Sequence, residues 1–267
     1  MSQTPPIVLI HGLWMTPLSW EHWVARYEAA GHEVLAPAWP GLDRPPEDLR
    51  NDANGIEHLG VAEIVDHYAE VLDGLGEAPI IMGHSFGGLF TQILLDRGYG
   101  VAGVAIDSAA AKGVFTLPPA QLRSAFPVLK SPLNSHRTVL LTPEEFHYAF
   151  TNTMTAEDSQ VIYDRYAVPG PGRVLFQGAL ANFNPRAETK VNYRNDDRAP
   201  LLFIAGGEDH VVPEAVDESQ AKKYRHSDAV TEFKAFEGRS HFTIGQDGWE
   251  EVADYALEWA VAHASRA

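Results

Sequence analysis

The chain has 267 residues, 45% hydrophobic and 21% charged, with no cysteine and a formal net charge of −16. That length suffices for one large domain with a substantial core, and the lack of cysteine removes disulfides, thiolate metal sites and thiol nucleophiles together. The acidic balance argues against a nucleic-acid partner, which needs a basic face, and no stretch approaches the roughly 20 apolar residues of a membrane span.

Met1-Ser2-Gln3-Thr4-Pro5-Pro6 has no basic residue ahead of an apolar core, so no signal peptide is expected and the cytoplasm is the expected compartment. Ile7-Val8-Leu9-Ile10 reads as a short buried strand running into His11-Gly12-Leu13-Trp14. A helix follows from Ser19 as N-cap, with Trp20, Trp23, Val24 and Tyr27 on one face and Gly31 as terminator. Glu33-Val34-Leu35-Ala36-Pro37-Ala38 reads as a second strand, ending in Trp39-Pro40-Gly41 with further prolines at 45 and 46. Val61, Ile64, Val65, Tyr68, Val71 and Leu72 form an apolar stripe at helical spacing.

Next comes Ala78-Pro79-Ile80-Ile81-Met82, a buried strand, then Gly83-His84-Ser85-Phe86-Gly87-Gly88, then a helix carrying Phe90, Ile93 and Leu94 and closed by Gly98. Ser85 therefore sits on a strand-to-helix turn with glycine two residues before and two after it. Such a turn brings strand and helix backbones too close for a Cβ, and the first amides of the new helix point at any oxygen beside the serine. This is the G-x-S-x-G nucleophile elbow. Val101-Ala102-Gly103-Val104-Ala105-Ile106 is a fourth strand, ending at Asp107.

The alternation breaks over about 112–193, which is rich in proline and shows no strand pattern. Thr142-Pro143-Glu144-Glu145 and Thr155-Ala156-Glu157-Asp158 read as capped helix starts. This segment, with Phe115, Phe126, Phe146, Phe150, Tyr163, Tyr166 and Phe176 spread through it, is expected to be a helical cap inserted over the sheet of a single domain spanning 1–267. Leu201-Leu202-Phe203-Ile204-Ala205 then reads as a strand leading to Gly206-Gly207-Glu208-Asp209-His210 and a helix to about Tyr224. The last strand is 230–236, followed by Gly238-Arg239-Ser240-His241-Phe242 and a closing helix with Val252, Tyr255, Ala256 and Trp259 on one face. Strands alternating with helices predict an α/β fold: a mostly parallel sheet of about six strands, covered on both faces, with ligands beyond the carboxyl ends of the strands.

A serine hydroxyl needs a base to take its proton, and the base needs a carboxylate to hold its tautomer. Ser85, Asp209 and His241 follow in the order that α/β-hydrolases use. On these motifs the chain resembles the α/β-hydrolase fold superfamily, in the group of small serine esterases, lactonases and haloperoxidase-like perhydrolases. The resemblance covers nearly the whole sheet. His11-Gly12-Leu13 resembles the family's oxyanion segment, 207–213 its acid loop and 238–241 its histidine loop, and the first two family strands have no counterpart. The resemblance implies Ser85 as nucleophile, His241 as base, Asp209 as acid, and the Leu13 and Phe86 amides as the oxyanion hole.

Rival readings stay open at this level. Asp107 is the alternative acid, because some family members draw theirs from the end of that earlier strand; the minor alternative for Asp209 is capping the helix near Pro213. Trp14, His11 and His84 either line the substrate pocket or support their turns and the cap. No H-E-x-x-H or similar cluster is present, so neither a metal nor another cofactor is expected. The expected activity is hydrolysis of carboxylic esters or lactones of small, apolar or aromatic substrates through an acyl-enzyme. Serine at the elbow argues against epoxide hydrolases and haloalkane dehalogenases, which carry aspartate there. The alternatives are a C–C hydrolase, a hydroxynitrile lyase or a cofactor-free dioxygenase on the same fold, or a non-catalytic ligand receptor. The expected partner is a small-molecule substrate, with no membrane or nucleic acid, and the oligomeric state is left open.

Overall fold

Six strands carry the molecule: β1 (Ile7–Ile10), β2 (Val34–Leu35), β3 (Ile80–His84), β4 (Ala102–Ile106), and, after the cap, β7 (Leu201–Gly206) and β8 (Thr231–Phe236). All pair in parallel in the order β2-β1-β3-β4-β7-β8. The computed structural model describes residues 5–264; residues 1–4, part of the stretch read for a signal peptide, and 265–267 lie outside the described residues. Among the described residues no helix is long and apolar enough to cross a membrane.

β1, β3, β4 and β7 are buried along their whole lengths, as expected of strands covered on both faces. The covering helices are α1 (Glu21–Ala29), α3 (Val61–Asp73), α4 (Phe86–Asp96), α9 (Glu214–Lys223) and α10 (Trp249–Ala264). Alternation along β3 assigns their sides. A Cβ on Gly83 would overlap the Gly87 carbonyl of α4, whereas its neighbour Met82 meets the Tyr27 hydroxyl of α1. α1 and α10 are joined by Tyr27 Oη–H donating to the Ala253 carbonyl (2.7 Å) and by a two-pronged Arg26–Asp254 pair (2.6 Å each). On the α4 side, Gln92 of α4 donates to Gln220 of α9 (3.1 Å) and accepts from the Tyr224 hydroxyl (3.1 Å).

Several boundaries differ from the sequence reading. The first helix is capped by Thr16, whose hydroxyl accepts from Leu18 N–H; a 3-10 turn over Pro17–Trp20 precedes α1, and Ser19 is buried inside it. Proline at the first helical position starts the turn three residues early. β2 is two half-buried residues at the sheet edge, not six. The proline pair at 45 and 46, read as loop, opens the short helix α2 (Pro46–Asn51).

The insertion holds α5 (Pro119–Leu129), α6 (Pro143–Phe150), α7 (Ala156–Tyr166) and α8 (Gly172–Ala179). Thr142 and Glu145 make a full reciprocal capping box; at Thr155 only the hydroxyl–Asp158 N–H half of the box forms, because the Asp158 carboxylate takes the threonine hydroxyl. The insertion also contains a short antiparallel ribbon, β5 (Thr138–Val139) with β6 (Gly170–Pro171), which no local alternation signals.

Candidate active site

Three non-glycine residues with a left-handed backbone occur among the described residues: Trp14 (φ 66°), Ser85 (φ 58°) and Asp107 (φ 45°). They follow β1, β3 and β4 in turn, so all three lie on the carboxyl edge of the sheet. Each such conformation costs on the order of 1–3 kcal/mol and persists only where its surroundings hold it.

Ser85 is held by glycine spacing and by the sheet. A Cβ on Gly83 would overlap the Gly87 carbonyl, and one on Gly87 the Ile10 carbonyl, so helix α4 rests directly on β3 and on the end of β1. A Cβ on Gly12 would lie 2.7 Å from Ser85 Cβ and 3.0 Å from the His84 carbonyl oxygen. The loop after β1 therefore packs on the elbow itself. Ser85 N–H donates to the Ile106 carbonyl (2.9 Å), and Ala109 N–H donates to the Ser85 carbonyl (3.0 Å), which fastens the turn to the end of β4. The amides of Leu13 and Phe86 have no acceptor among the described residues; Phe86 is the first residue of α4, where a helix leaves its N–H groups unpaired.

His241 arrives from the loop after β8. Its Nδ1 lies 2.6 Å from Asp209 Oδ2, both side chains fully buried, and its Nε2 is buried with no hydrogen-bond partner among the described residues. The ring packs 4.6 Å (centroid to centroid) from His84, the residue before Ser85. The other carboxylate oxygen of Asp209 accepts from Val211 N–H (2.6 Å) and Val212 N–H (2.9 Å). One oxygen of Asp209 thus caps the turn before α9 and the other meets the imidazole.

Asp107, the rival acid, is turned elsewhere. Its Oδ1 accepts from Gly206 N–H (2.7 Å), and its Oδ2 lies 3.8 Å from His84 Nε2. Burial first, and then the nearby Asp209 charge, push its carboxyl well above the ordinary range. His84 is neutral because burial lowers it well below an ordinary histidine; its Nε2–H donates to the His241 carbonyl (2.7 Å). His11 is likewise held at about 4 by burial. Its Nδ1–H donates to the Gly12 carbonyl (3.0 Å) and its Nε2 accepts from Trp39 N–H (3.1 Å), leaving neither ring nitrogen for a ligand. His11 and His84 are therefore struts of the loops that present Leu13 and His241.

His84, Asp107 and His241 also bring potential metal-ligand atoms within 4.8 Å of one another. His84 Nε2, Asp107 Oδ1 and His241 Nδ1 bind protein partners, while His84 Nδ1, Asp107 Oδ2 and His241 Nε2 are buried without a hydrogen-bond partner among the described residues. The arrangement as it stands is a serine on a strained turn, an imidazole held at one nitrogen by a carboxylate, and two amides without acceptors.

Residues 7–255 match the model of the alpha/beta hydrolase family. The chain belongs to that family. Epoxide hydrolase B of Mycobacterium tuberculosis, matched in two strains, is 31% identical over 184 residues, or 67% of this chain. The chain spans about 40% of the length of these curated relatives. Among solved structures, a Paleococcus ferrophilus monoacylglycerol lipase superposes with a TM-score of 0.66 at 20% identity, covering 98% of this chain and 96% of that one. Tomato methylketone synthase I, complexed with 2-tridecanone, superposes with a TM-score of 0.69 at 16% identity, covering 97% of this chain and 99% of that one. At these identities the likeness to the solved structures establishes the fold alone.

In this alpha/beta hydrolase the insertion between β4 and β7 reaches the loops after β1, β7 and β8. Trp14, with φ 66°, turns its indole into the cap, where Nε1–H donates to the Val139 carbonyl (3.0 Å). Asn152 Nδ2–H donates to the Glu208 carbonyl (2.9 Å) in the acid loop, and Phe242 N–H donates to the Phe150 carbonyl (2.9 Å). The Phe150 ring meets His241 edge-on at 4.8 Å and Trp14 edge-on at 6.0 Å. Sequence reasoning had no means to single out Phe150, because Phe146 and Phe150 at i,i+4 read as the cap's own core. Ser85 is 4% exposed beneath this cover.

Proposed function

We propose that the protein hydrolyses carboxylic esters or lactones through an acyl-enzyme on Ser85. The observation that carries this reading is the buried 2.6 Å His241–Asp209 bond, which leaves Nε2 unpaired in a ring packed 4.6 Å from His84, the residue before Ser85. With Nδ1–H donated to Asp209, Nε2 is the basic nitrogen of the neutral ring.

Ser85 Oγ attacks the ester carbonyl carbon while its proton passes to His241 Nε2. The carbonyl electron pair moves onto oxygen, where the Leu13 and Phe86 amides receive it, each such donor being worth roughly 3 kcal/mol. Collapse of this intermediate expels the alkoxide, which takes the proton from Nε2. Water then attacks the acyl carbon, giving a proton to Nε2, and the second collapse releases the acid and returns that proton to Ser85. Asp209 remains a carboxylate throughout and stabilises the transient imidazolium. Leu13, Trp14, Phe86 and Phe150, all buried and apolar, surround these groups and favour a small apolar or aromatic acyl or alcohol group. Nucleophilic opening of an epoxide by an elbow aspartate has no counterpart residue here, since Ser85 occupies that position.

The test is turnover of p-nitrophenyl acetate and butyrate with mass spectrometry of the quenched protein. A Ser85 acyl adduct in the wild type, together with a folded Ser85→Ala variant that makes neither adduct nor product, is the expected result. Full turnover by Ser85→Ala would remove Ser85 from the mechanism. No acyl-enzyme across a panel of simple esters would move the reading to a C–C hydrolase or lyase on the same fold.

A further inference from the structure

We infer that Trp14 is a positioning residue which ties the oxyanion loop to the cap and so holds the Leu13 amide ready for the reacting carbonyl; this rests on the ester-hydrolase reading above. A bulky residue does not keep a φ of 66° unless something holds it there. Both ends of Trp14 are held by the same piece of the cap. Its side-chain Nε1–H donates to the Val139 carbonyl (3.0 Å) in β5, and its backbone carbonyl accepts from Val168 N–H (3.0 Å), two residues before β6. The ribbon formed by β5 and β6 therefore grips the residue immediately after Leu13.

The packing is equally tight. A Cβ on Gly170 of β6 would lie 2.8 Å from Leu13 Cδ1 and 3.1 Å from Trp14 Cδ1, so the ribbon backbone lies directly on the loop. From the core side the loop is met by the His11–Gly12 turn and by the elbow. The Leu13 amide is thus clamped between elbow and ribbon, and the cap forms one jaw of the clamp. A cap that only enclosed substrate would need no bond to the oxyanion loop's backbone. Releasing the grip would let Trp14 relax out of the left-handed region, swinging the Leu13–Trp14 peptide and loosening the adjoining Gly12–Leu13 peptide that carries the Leu13 N–H. Such a loss is felt in the transition state and not in ground-state binding.

The experiment uses two variants of the full chain. Trp14→Phe keeps a ring against Phe150 and deletes the indole N–H; Gly170→Ala presses on the same joint from the cap side and carries the test if Trp14→Phe does not fold. Sites are counted by stoichiometric fluorophosphonate labelling of Ser85, so that kcat refers to folded sites. With p-nitrophenyl butyrate the expected result is a fall in kcat of about 10- to 100-fold, KM moving by less than about twofold, and affinity for a trifluoromethyl ketone falling by the same factor as kcat/KM. A kcat per labelled site within about twofold of wild type, or a raised KM with kcat unchanged, overturns the inference; the second outcome would make Trp14 a wall of the substrate pocket. A wild-type protein that takes no label at Ser85 overturns the ester-hydrolase reading itself, and this inference with it.

Discussion

Asp209→Asn is the sharpest perturbation of the proposed machinery, because the structure dictates how the amide would sit. Oδ1 of Asp209 is fixed by two backbone donors, Val211 N–H at 2.6 Å and Val212 N–H at 2.9 Å. Asparagine must therefore keep its carbonyl oxygen there and turn its NH2 toward His241 Nδ1, 2.6 Å from the present Oδ2. Facing a donor, Nδ1 must accept, so the ring proton moves to Nε2 and no lone pair remains to take the Ser85 proton. The turn before α9 keeps its hydrogen bonds, so the fold survives while the base is lost. A tautomer fault of this kind costs about 10⁴-fold in kcat, or about 5 kcal/mol of transition-state stabilisation. The assay is initial rates with p-nitrophenyl butyrate, normalised to protein concentration, with circular dichroism as the check on folding. Asp107→Asn is the control, since its Oδ1 faces Gly206 N–H and not the imidazole of His241; kcat within about threefold of wild type is expected. The reasoning is falsified if Asp209→Asn keeps kcat within about tenfold of wild type, and a large loss in Asp107→Asn instead would move the acid to the end of β4.

Three further outcomes follow from the same geometry. Gly12→Ala would drive a Cβ to 2.7 Å from Ser85 Cβ, so a loss of about 1–3 kcal/mol by urea denaturation and a depressed kcat are expected; an unchanged urea midpoint would show that the loop yields freely. His11 is held at about 4 against 6.5 for an ordinary histidine, so as pH falls the unfolded chain takes up this proton first, and stability present above about 6.5 is lost toward 4. Comparison with His11→Asn isolates that contribution: the wild type should lose about 3 kcal/mol more than the variant across the window, and parallel pH–stability curves would refute it. Asp107 has the opposite sign, because its folded carboxyl is raised: the unfolded chain ionises above about 4 while the folded chain does not, and stability falls as pH rises from there to the folded value. Asp107→Asn should therefore gain on the wild type in urea midpoint as pH rises, and a constant difference from pH 4 to 8 would show that Asp107 is ionised in the fold.

What the sequence determined by itself were features whose physics is local. Gly31 and Gly98 end α1 and α4 with φ of 91° and 89°, conformations that only the residue at that position needs to satisfy. The capping box at Thr142 closes within four residues, and Ser85 stands on its turn because Gly83 and Gly87 let two backbones touch. The run of buried strands in parallel order follows from apolar segments alternating with amphipathic ones. Tertiary structure alone decided matters that depend on distance between remote segments. Asp107 and Asp209 both stand at strand ends, and only packing turns one toward Gly206 N–H and the other toward the imidazole. The edge position of β2 leaves two paired residues where the local pattern suggests six: it meets only Ile7 and Val8 of β1, which itself runs on to Ile10. Trp14 reads equally well as pocket wall or cap contact until the chain brings Val139 and Val168, more than a hundred residues away, against it. Local sterics reach a few residues; the choice among chemically equivalent partners belongs to the packed whole.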